Sequence, residues 1–350
     1  MELAYRAVKW HSLTPVARTW VEDPALIYKL NPLNAQFPQS FRGKAPSPDR
    51  RNGVRIICLG GSTTFGHEVK AEQAWPAATE RVLKTEGIEA EVINGGVQGY
   101  GSRQLLLRYR RDIAPLQPDY VIIYEGWNRT GPLVDPAGWV PFGFDMVRPG
   151  QKRKPELVTY LALHSLLMQR FITRAARQRG ESQKTSAGWF ELSQPYTVDS
   201  YQDVFISDFT QLVKEIRAHQ QRPVLVIYPA LYFPEMTTEE RSIFEPMLWA
   251  HRALKPGMLE ELESKHAAIR AIAQVTETPV VDVQAAFSSI RGKDRTALFM
   301  DEMHLTPLGN QKVGEIVGDF LANQMVDSKT SSGQVAARGS RGISSSTRLQ

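Results

Sequence analysis

Short apolar runs alternate along the chain with longer stretches whose apolar residues recur every three or four positions. Buried strands of a parallel sheet read as continuous apolar runs, whereas helices with one buried face show the longer period. The runs predict five strands, over residues 54–59, 90–93, 120–124, 223–228 and 279–283. With helices between them, they predict the α/β class, as a three-layer α/β/α sandwich around a five-stranded parallel sheet.

The stretches between the runs carry the signals that start helices. Pro76 is suited to the first turn of the helix after the first strand, and Ser102 is suited to cap the helix after the second. A long helical region is predicted to end near residue 274. Thr306 and Pro307 supply both a cap and a first-turn proline, so they predict the start of a final helix.

Three segments fall outside this alternation. Residues 1–53 contain prolines and aromatic residues without periodicity, which predicts an irregular leader packed on the main domain, residues 54–326. Residues 129–203 interrupt that domain with proline, glycine and aromatic residues, which predicts an insertion placed as a lid. Residues 327–350 are basic and rich in serine and glycine, which predicts a disordered tail.

Composition limits the class of partner. The chain has 350 residues, of which 42% are hydrophobic and 23% charged, as in ordinary soluble globular proteins. Its formal net charge is +5, and most of that excess lies in the tail, so the body is close to neutral. A near-neutral body gives no electrostatic reason to expect nucleic acid as a partner.

Location is constrained only weakly. A single cysteine, Cys58, excludes an intrachain disulfide and therefore does not require an oxidising compartment. No apolar run approaches the roughly 20 residues of a membrane-spanning helix, so no stable span is expected. The first residues lack the apolar core of a signal peptide. We expect a cytoplasmic protein; a missing N-terminal anchor would instead indicate a periplasmic or membrane-associated one.

Ser62 is the first candidate for chemistry, because open α/β sheets place their sites at the carboxyl ends of the strands. It follows the first strand and a Gly60-Gly61 pair. Serines in such places often only cap a helix. A phosphate-binding loop is disfavoured because His67 stands where that motif needs lysine, and G-x-S-x-G fails because Thr64 replaces the second glycine.

Asp301 and His304 follow the fifth strand and can supply a base with its orienting carboxylate. A serine nucleophile needs a base to take its proton, and the base needs an acceptor that fixes its tautomer. A spacing of Asp-x-x-His places both groups in one short loop. The alternative is a turn before the last helix, in which Asp301 is an incidental cap.

Gly99 and Asn128 are candidate donors to an oxyanion. They follow the second and third strands, so in a parallel sheet they share an edge with Ser62. A backbone amide in a glycine loop and a side-chain amide both suit the charge that develops in acyl transfer. The alternatives are a plain β-turn at Gly99 and a turn-forming asparagine at Asn128.

Taken together, these blocks resemble the SGNH (GDSL-type) hydrolases. The blocks are Gly-Gly-Ser-Thr-Thr, Asn-Gly-Gly-Val-Gln-Gly, Gly-Trp-Asn and Asp-x-x-His, in the order and spacing of that family. The resemblance covers roughly residues 54–128 and 204–325. It implies a flavodoxin-like sandwich that hydrolyses or transfers acyl esters without a metal or other cofactor.

The resemblance also implies a role for each candidate. Ser62 would be the nucleophile, His304 the base and Asp301 its orienter, with an oxyanion hole formed by the N–H groups of Ser62 and Gly99 and by the Asn128 side chain. Two residues depart from the family pattern. Gly61 stands where the family name has aspartate, which is a common variant. Arg129 follows Asn128 where aspartate is usual, which weakens the expected support of that loop.

We therefore predict a serine-dependent hydrolase of acyl esters, with small-molecule or O-acetyl glycan esters as substrates. One alternative is an O-acyltransferase that uses the same site on a glycan. Another is a catalytically silent glycan-binding accessory protein, and a nucleotide-binding protein is a distant third. We predict a surface or supporting role for His67. The sequence predicts no oligomeric state.

Overall fold

The apolar runs form the middle layer of an α/β/α sandwich in a computed structural model of the chain. It describes residues 19–23, 26–49, 53–128, 140–142, 145–147, 198–247 and 258–339. In chain order the strands are β1 (Trp20–Asp23), β2 (Ile27–Leu30), β3 (Val54–Gly60), β4 (Ala90–Asn94), β5 (Tyr120–Tyr124), β6 (Val140–Phe142), β7 (Asp145–Val147), β8 (Arg222–Ile227) and β9 (Val280–Asp282).

The helices connect and cover these strands. In chain order they are α1 (Ser62–Phe65), α2 (Trp75–Thr85), α3 (Ser102–Arg108), α4 (Val198–Ala218), α5 (Thr238–Phe244), α6 (Met258–Val275), α7 (Val283–Phe287), α8 (Gly292–Thr296) and α9 (Pro307–Gly339). After α3 the chain continues through a π-helical turn at Tyr109–Ile113 and a 3₁₀ turn at Ala114–Leu116.

The central sheet is parallel and has the strand order β4-β3-β5-β8-β9. Ile57 of β3 lies between Ile93 of β4 and Val121 of β5, and all three are fully buried. The chain leaves β3 toward β4 on one side and later returns to β5 on the other. Strand order therefore reverses between β3 and β5, and open sheets bind ligands at such a point. The predicted fold class is confirmed.

Helices cover both faces of the sheet. Parallel strands joined by right-handed crossovers place α2 on one face and α3, α4 and α6 on the other, because the chain travels across the sheet in opposite directions. The last helix, α9, packs beside α2. A Cβ added to Gly314 of α9 would collide with the Ala78 side chain, so glycine allows the close approach. Asn310 Oδ1 also accepts the backbone N–H of Trp75 at 3.1 Å.

The described part of the N-terminal segment contacts the sandwich. β1 and β2 pair as an antiparallel hairpin, so the predicted irregular leader contains regular structure. Four apolar side chains of the segment are buried in the common core: Leu26, Leu30, Phe37 and Phe41. The Arg42 N–H donates to the backbone oxygen of Asn94 at the end of β4. Residues 1–18 lie outside the described residues.

The C-terminal prediction needs a correction. Helix α9 continues to Gly339, so residues 327–339 of the predicted disordered tail are helical, and 340–350 lie outside the described residues. A composition rich in small polar residues does not show where a helix ends, since each residue added to an existing helix gains a hydrogen bond.

Most of the predicted insertion, 129–203, lies outside the described residues, and Arg129 is among those omitted. The parts described are the antiparallel pair β6–β7 and the first turns of α4. The prediction that the insertion acts as a lid stays a prediction.

Among the residues described, no helix has the length and apolar character needed to cross a bilayer.

Candidate active site at the carboxyl edge of the sheet

Ser62 lies at the first turn of α1, directly after β3. A Cβ at Gly60 would collide with the Thr64 side chain and the Tyr124 backbone oxygen, so the turn out of the strand is tight. Thr64 Oγ1 donates to that same oxygen at 3.2 Å. Gly66, with φ +79°, ends the helix after a single turn. The hydroxyl of Ser62 is thus held at the strand end, beside the point where strand order reverses.

Asp301 and His304 lie in a closed loop between α8 and α9. The Met300 N–H donates to the backbone oxygen of His304 at 2.8 Å. One carboxylate oxygen of Asp301, Oδ1, accepts the backbone N–H groups of Met303 and His304 at 2.8 and 2.7 Å. These bonds hold Oδ1 in place and leave the other oxygen, Oδ2, to face the imidazole ring.

A chain of hydrogen bonds joins Ser62, His304 and Asp301. Asp301 Oδ2 lies 2.7 Å from His304 Nδ1, and His304 Nε2 lies 2.8 Å from Ser62 Oγ. An ionised carboxylate only accepts, so Nδ1 carries the ring proton and Nε2 accepts the serine hydroxyl. The structure therefore brings together the three residues that the sequence proposed for catalysis, linked in the order Ser62, His304 and Asp301.

The pKa of Asp301 favours the ionised form. Burial raises this pKa, but the hydrogen bonds and charge of His304, with the Met303 N–H, lower it below the ordinary value of 3.8. The side chains of His304 and Asp301 keep 13% and 17% of their surface exposed, so both are largely buried but still in contact with solvent. Asp301 is consequently ionised at neutral pH.

Gly99 lies in the loop after β4, against the end of β3. The Val97 N–H donates to the Gly60 oxygen at 3.0 Å, which holds the loop to the strand. Gly99 has φ +78°, and a Cβ there would lie 2.6 Å from the hydroxyl of Tyr28. Glycine is thus required by both the backbone angle and the available space. Tyr28 donates its hydroxyl to the Gln98 oxygen at 2.7 Å.

Asn128 lies after β5, next to the glycine that precedes Ser62. Its Nδ2 donates to the Tyr100 oxygen at 2.8 Å and faces Glu125 Oε2 at 3.4 Å. A Cβ added to Gly61 would collide with this Nδ2 atom, which places the amide directly beside the nucleophile turn. The loops that carry Ser62, Gly99 and Asn128 therefore meet at one edge, as their positions after parallel strands predict.

Sequence reasoning missed Glu125. It is the last residue before the Gly-Trp-Asn block, and only 2% of its surface is exposed. Burial raises its pKa to about 7, against hydrogen bonds from the Asn128 and Gly126 N–H groups and the charge of Lys265. An acidic residue placed directly after a fully apolar strand was the available signal.

His67 lies beside His304, and the supporting role predicted for it stays a prediction. Its ring centroid is 4.7 Å from that of His304, and its Nδ1 lies 2.6 Å from Gln98 Nε2. Burial and the neighbouring His304 lower the pKa of His67, which favours a neutral ring. The His67 ring therefore packs against the His304 ring.

A serine, an imidazole and a carboxylate linked in this order form the constellation by which hydrolases activate a nucleophile for acyl transfer. Its position at the reversal point of a parallel α/β/α sandwich defines the class as an α/β hydrolytic enzyme. The GDSL-like lipase/acylhydrolase family model matches residues 58–312, which is more than half of the chain. The chain belongs to this family and is a carboxylic ester hydrolase.

The chain is similar to solved structures of a lipase/acylhydrolase and an esterase, at low sequence identity. The lipase/acylhydrolase from Enterococcus faecalis shares 14% identity, covering 77% of this chain and 96% of that chain, with a TM-score of 0.45. An acetylxylan esterase from Geobacillus stearothermophilus shares 15% identity, covering 76% of this chain and 93% of that chain, with a TM-score of 0.45. None of the curated proteins matches the chain.

Proposed function

We propose that this ester hydrolase uses Ser62 as its nucleophile and works through an acyl-enzyme. The observation that carries the proposal is the unbroken chain from Ser62 Oγ to His304 Nε2 and from His304 Nδ1 to Asp301, at 2.8 and 2.7 Å. Such contacts pre-align the proton transfer that makes a serine hydroxyl nucleophilic. The same intact chain argues against a catalytically silent binding protein.

In the first half of the reaction, Ser62 Oγ attacks the acyl carbon while its proton moves to His304 Nε2. The carbonyl oxygen becomes an oxyanion, and Asp301 stabilises the imidazolium. Collapse of the tetrahedral intermediate breaks the bond to the leaving oxygen, which takes the proton from Nε2. In the second half, water gives a proton to His304, attacks the acyl carbon and releases the acid, and Ser62 regains its proton.

The oxyanion hole we propose is formed by the N–H groups of Ser62 and Gly99 and by the Asn128 amide. The three come from three loops that meet at one sheet edge, and hydrogen bonds hold two of those loops in place. Preorganised donors of this kind matter because they are oriented before charge develops, and each is typically worth roughly 3–4 kcal/mol.

For substrate, we propose short acyl esters, with O-acetyl groups on glycans as the first to test. The support is the sequence of the insertion, which supplies aromatic side chains suited to stacking on sugar rings: Trp139, Phe142, Phe144, Trp189, Phe190 and Tyr196. Incubation with an acetyl donor and a sugar acceptor separates hydrolysis from transfer, since hydrolysis releases acetate and leaves the acceptor unmodified.

The test of the nucleophile compares two serine variants on p-nitrophenyl acetate. Ser62→Ala is expected to lose turnover by at least about 10³-fold with an unchanged unfolding temperature. Ser288→Ala is the matched control, because Ser288 is exposed directly after α7 and its hydroxyl donates to the Ala285 oxygen of that helix; it should retain full turnover. Undiminished turnover by Ser62→Ala would refute the proposal.

A further inference from the structure

Glu125 is a buried carboxylate that the catalytic chain does not use. Its Oε1 accepts the backbone N–H of Asn128 at 2.9 Å, and its Oε2 faces the Asn128 amide at 3.4 Å. The N–H of Gly126 also donates to this carboxyl group. Its hydrogen bonds thus go to the turn that carries Asn128, and it is placed to set that turn's shape.

The Glu125 carboxyl group lies in the space beside Gly61 that a side chain at residue 61 would need. Gly61 has φ −86° and ψ −144°, so a left-handed backbone is not what favours glycine at this position. A Cβ there would lie 2.5 Å from Glu125 Oε2 and would also collide with the Asn128 amide. The volume that a side chain at residue 61 would fill is therefore occupied by the Glu125 carboxyl group and the amide beside it.

The Asn128 amide is held from two sides. One N–H is bonded to the Tyr100 oxygen at 2.8 Å, which anchors the nitrogen. The other faces Glu125 at 3.4 Å, which is longer than a normal hydrogen bond, so this N–H is only weakly engaged. An oxyanion formed at Ser62 competes for that second N–H, while the shorter bond from the Asn128 backbone keeps the residue in place.

We infer that Glu125 is a positioning residue that holds Asn128 in the oxyanion hole, from the space that a side chain at residue 61 would otherwise occupy. The inference rests on the proposed role of Asn128 as an oxyanion donor. It accounts for Gly61, which leaves room for the carboxyl group, and it assigns the support of the asparagine loop to Glu125.

The proposed action is steric and directional, with no need for charge. A full negative charge beside the oxyanion would oppose its formation, and burial favours the neutral acid of Glu125. A glutamine keeps an acceptor oxygen for the 2.9 Å bond from Asn128, whereas alanine removes it and leaves a cavity. Glu125→Gln and Glu125→Ala are therefore a matched pair that separates positioning from charge.

The experiment measures kcat and KM on p-nitrophenyl acetate for Glu125→Gln, Glu125→Ala, Asn128→Ala and the Asn128→Ala/Glu125→Ala double variant. Glu125→Ala should lower kcat by about tenfold or more with little change in KM, and Glu125→Gln should stay within about threefold of the unmodified enzyme. In the Asn128→Ala background, Glu125→Ala should cause no further loss of kcat, because the group it positions is gone.

A full kcat in Glu125→Ala, or losses that add in the double variant, would overturn the inference. If Glu125→Ala does not fold, Gly61→Ala replaces it, since its methyl group intrudes on the same carboxyl and amide groups. Gly61→Ala should lower the kcat of the unmodified enzyme and should not lower the kcat of Asn128→Ala any further. Losses that add in the Asn128→Ala/Gly61→Ala double variant would again contradict the inference. Activity retained by Ser62→Ala would instead refute the proposed function, so the two failures are distinguishable.

Discussion

Ser62 and His304 are 242 positions apart in the sequence, yet the hydroxyl oxygen of one and Nε2 of the other lie 2.8 Å apart. Ser62 is fixed by the tight turn after β3, and His304 by a loop that follows β9 and α8. The two loops meet because parallel strands end at the same edge of the sheet. The contact therefore depends on the whole sandwich, and small changes in the loops around it are expected to alter rate more than stability.

His304 and Asp301 should differ in their effect on turnover. His304→Ala removes the base and should lower kcat by at least about 10³-fold, whereas Asp301→Ala leaves a base without its orienting partner and should lose less. Asp282→Ala is a suitable control, because the Asp282 carboxylate caps α7 and bonds Arg270 rather than a catalytic residue. The control should change the unfolding temperature and leave kcat intact; an equal loss of kcat in Asp282→Ala would contradict the assignment.

Tyr28 should support the loop that carries Gly99. Tyr28→Phe removes the 2.7 Å bond to the Gln98 oxygen and is expected to lower kcat by about tenfold, because a donor displaced by a fraction of an ångström fits the transition state less well. Tyr120→Phe provides the comparison, since Tyr120 begins β5 at the opposite end of the sheet and its hydroxyl accepts from Arg222. Steady-state kinetics in which both variants turn over equally would show that Tyr28 has no such role.

Glu125 should make stability depend on pH. Its pKa is about 7 in the folded protein against an ordinary value of 4.5, so between these pH values the unfolded chain releases a proton that the folded protein retains. The free energy of unfolding should consequently fall by up to about 3 kcal/mol as pH rises from 4.5 to 7, and then level off.

Glu125→Gln removes this titration. The free energy of unfolding of the variant minus that of the unmodified protein should be more positive at pH 8 than at pH 5, as measured by urea unfolding at both pH values. Since Glu125 is buried, solvent screening should reduce the effect little. A stability difference that is the same at pH 5 and pH 8 would show that the carboxyl group titrates at its ordinary value.

Arg295 should contribute strongly to stability although it makes no contact with the catalytic residues. It is fully buried on α8 and donates to the backbone oxygens of Ala230, Leu231 and Phe287. Arg295→Met leaves these oxygens without that donor and should cost about 3 kcal/mol or more. Arg270→Met, which breaks only an exposed ion pair, should cost at most about 1 kcal/mol in the same unfolding measurement; equal costs would contradict this account.

The sheet was predictable from the sequence because its strands are covered on both faces. Apolar runs of this kind carry their own signal, and each predicted strand agrees with the structure to within one or two residues. The edge where Ser62, Asp301 and His304 meet follows from the same signal, since it needs only the direction of parallel strands. These parts of the fold are set by local pattern and by topology.

Other features depend on contacts that no local pattern records. Glu125 gains its place from the space left by Gly61, and Tyr28 from a loop 70 residues away. The extent of α9 beyond residue 327 was missed because composition alone does not mark a helix end. The roles of Glu125 and Tyr28 depend on which groups meet in three dimensions. The sequence marks Glu125 only as an acidic residue after an apolar strand and does not show what it contacts.

Covalent labelling tests the central claim most directly. A fluorophosphonate reacts with an activated serine, so intact-mass measurement followed by peptide mapping identifies the nucleophile. We predict one label per chain on Ser62, no labelling of Ser62→Ala, and slow labelling of His304→Ala. Ester hydrolysis by a protein whose Ser62 stays unlabelled, or a label on another serine with Ser62→Ala still active, would contradict the account.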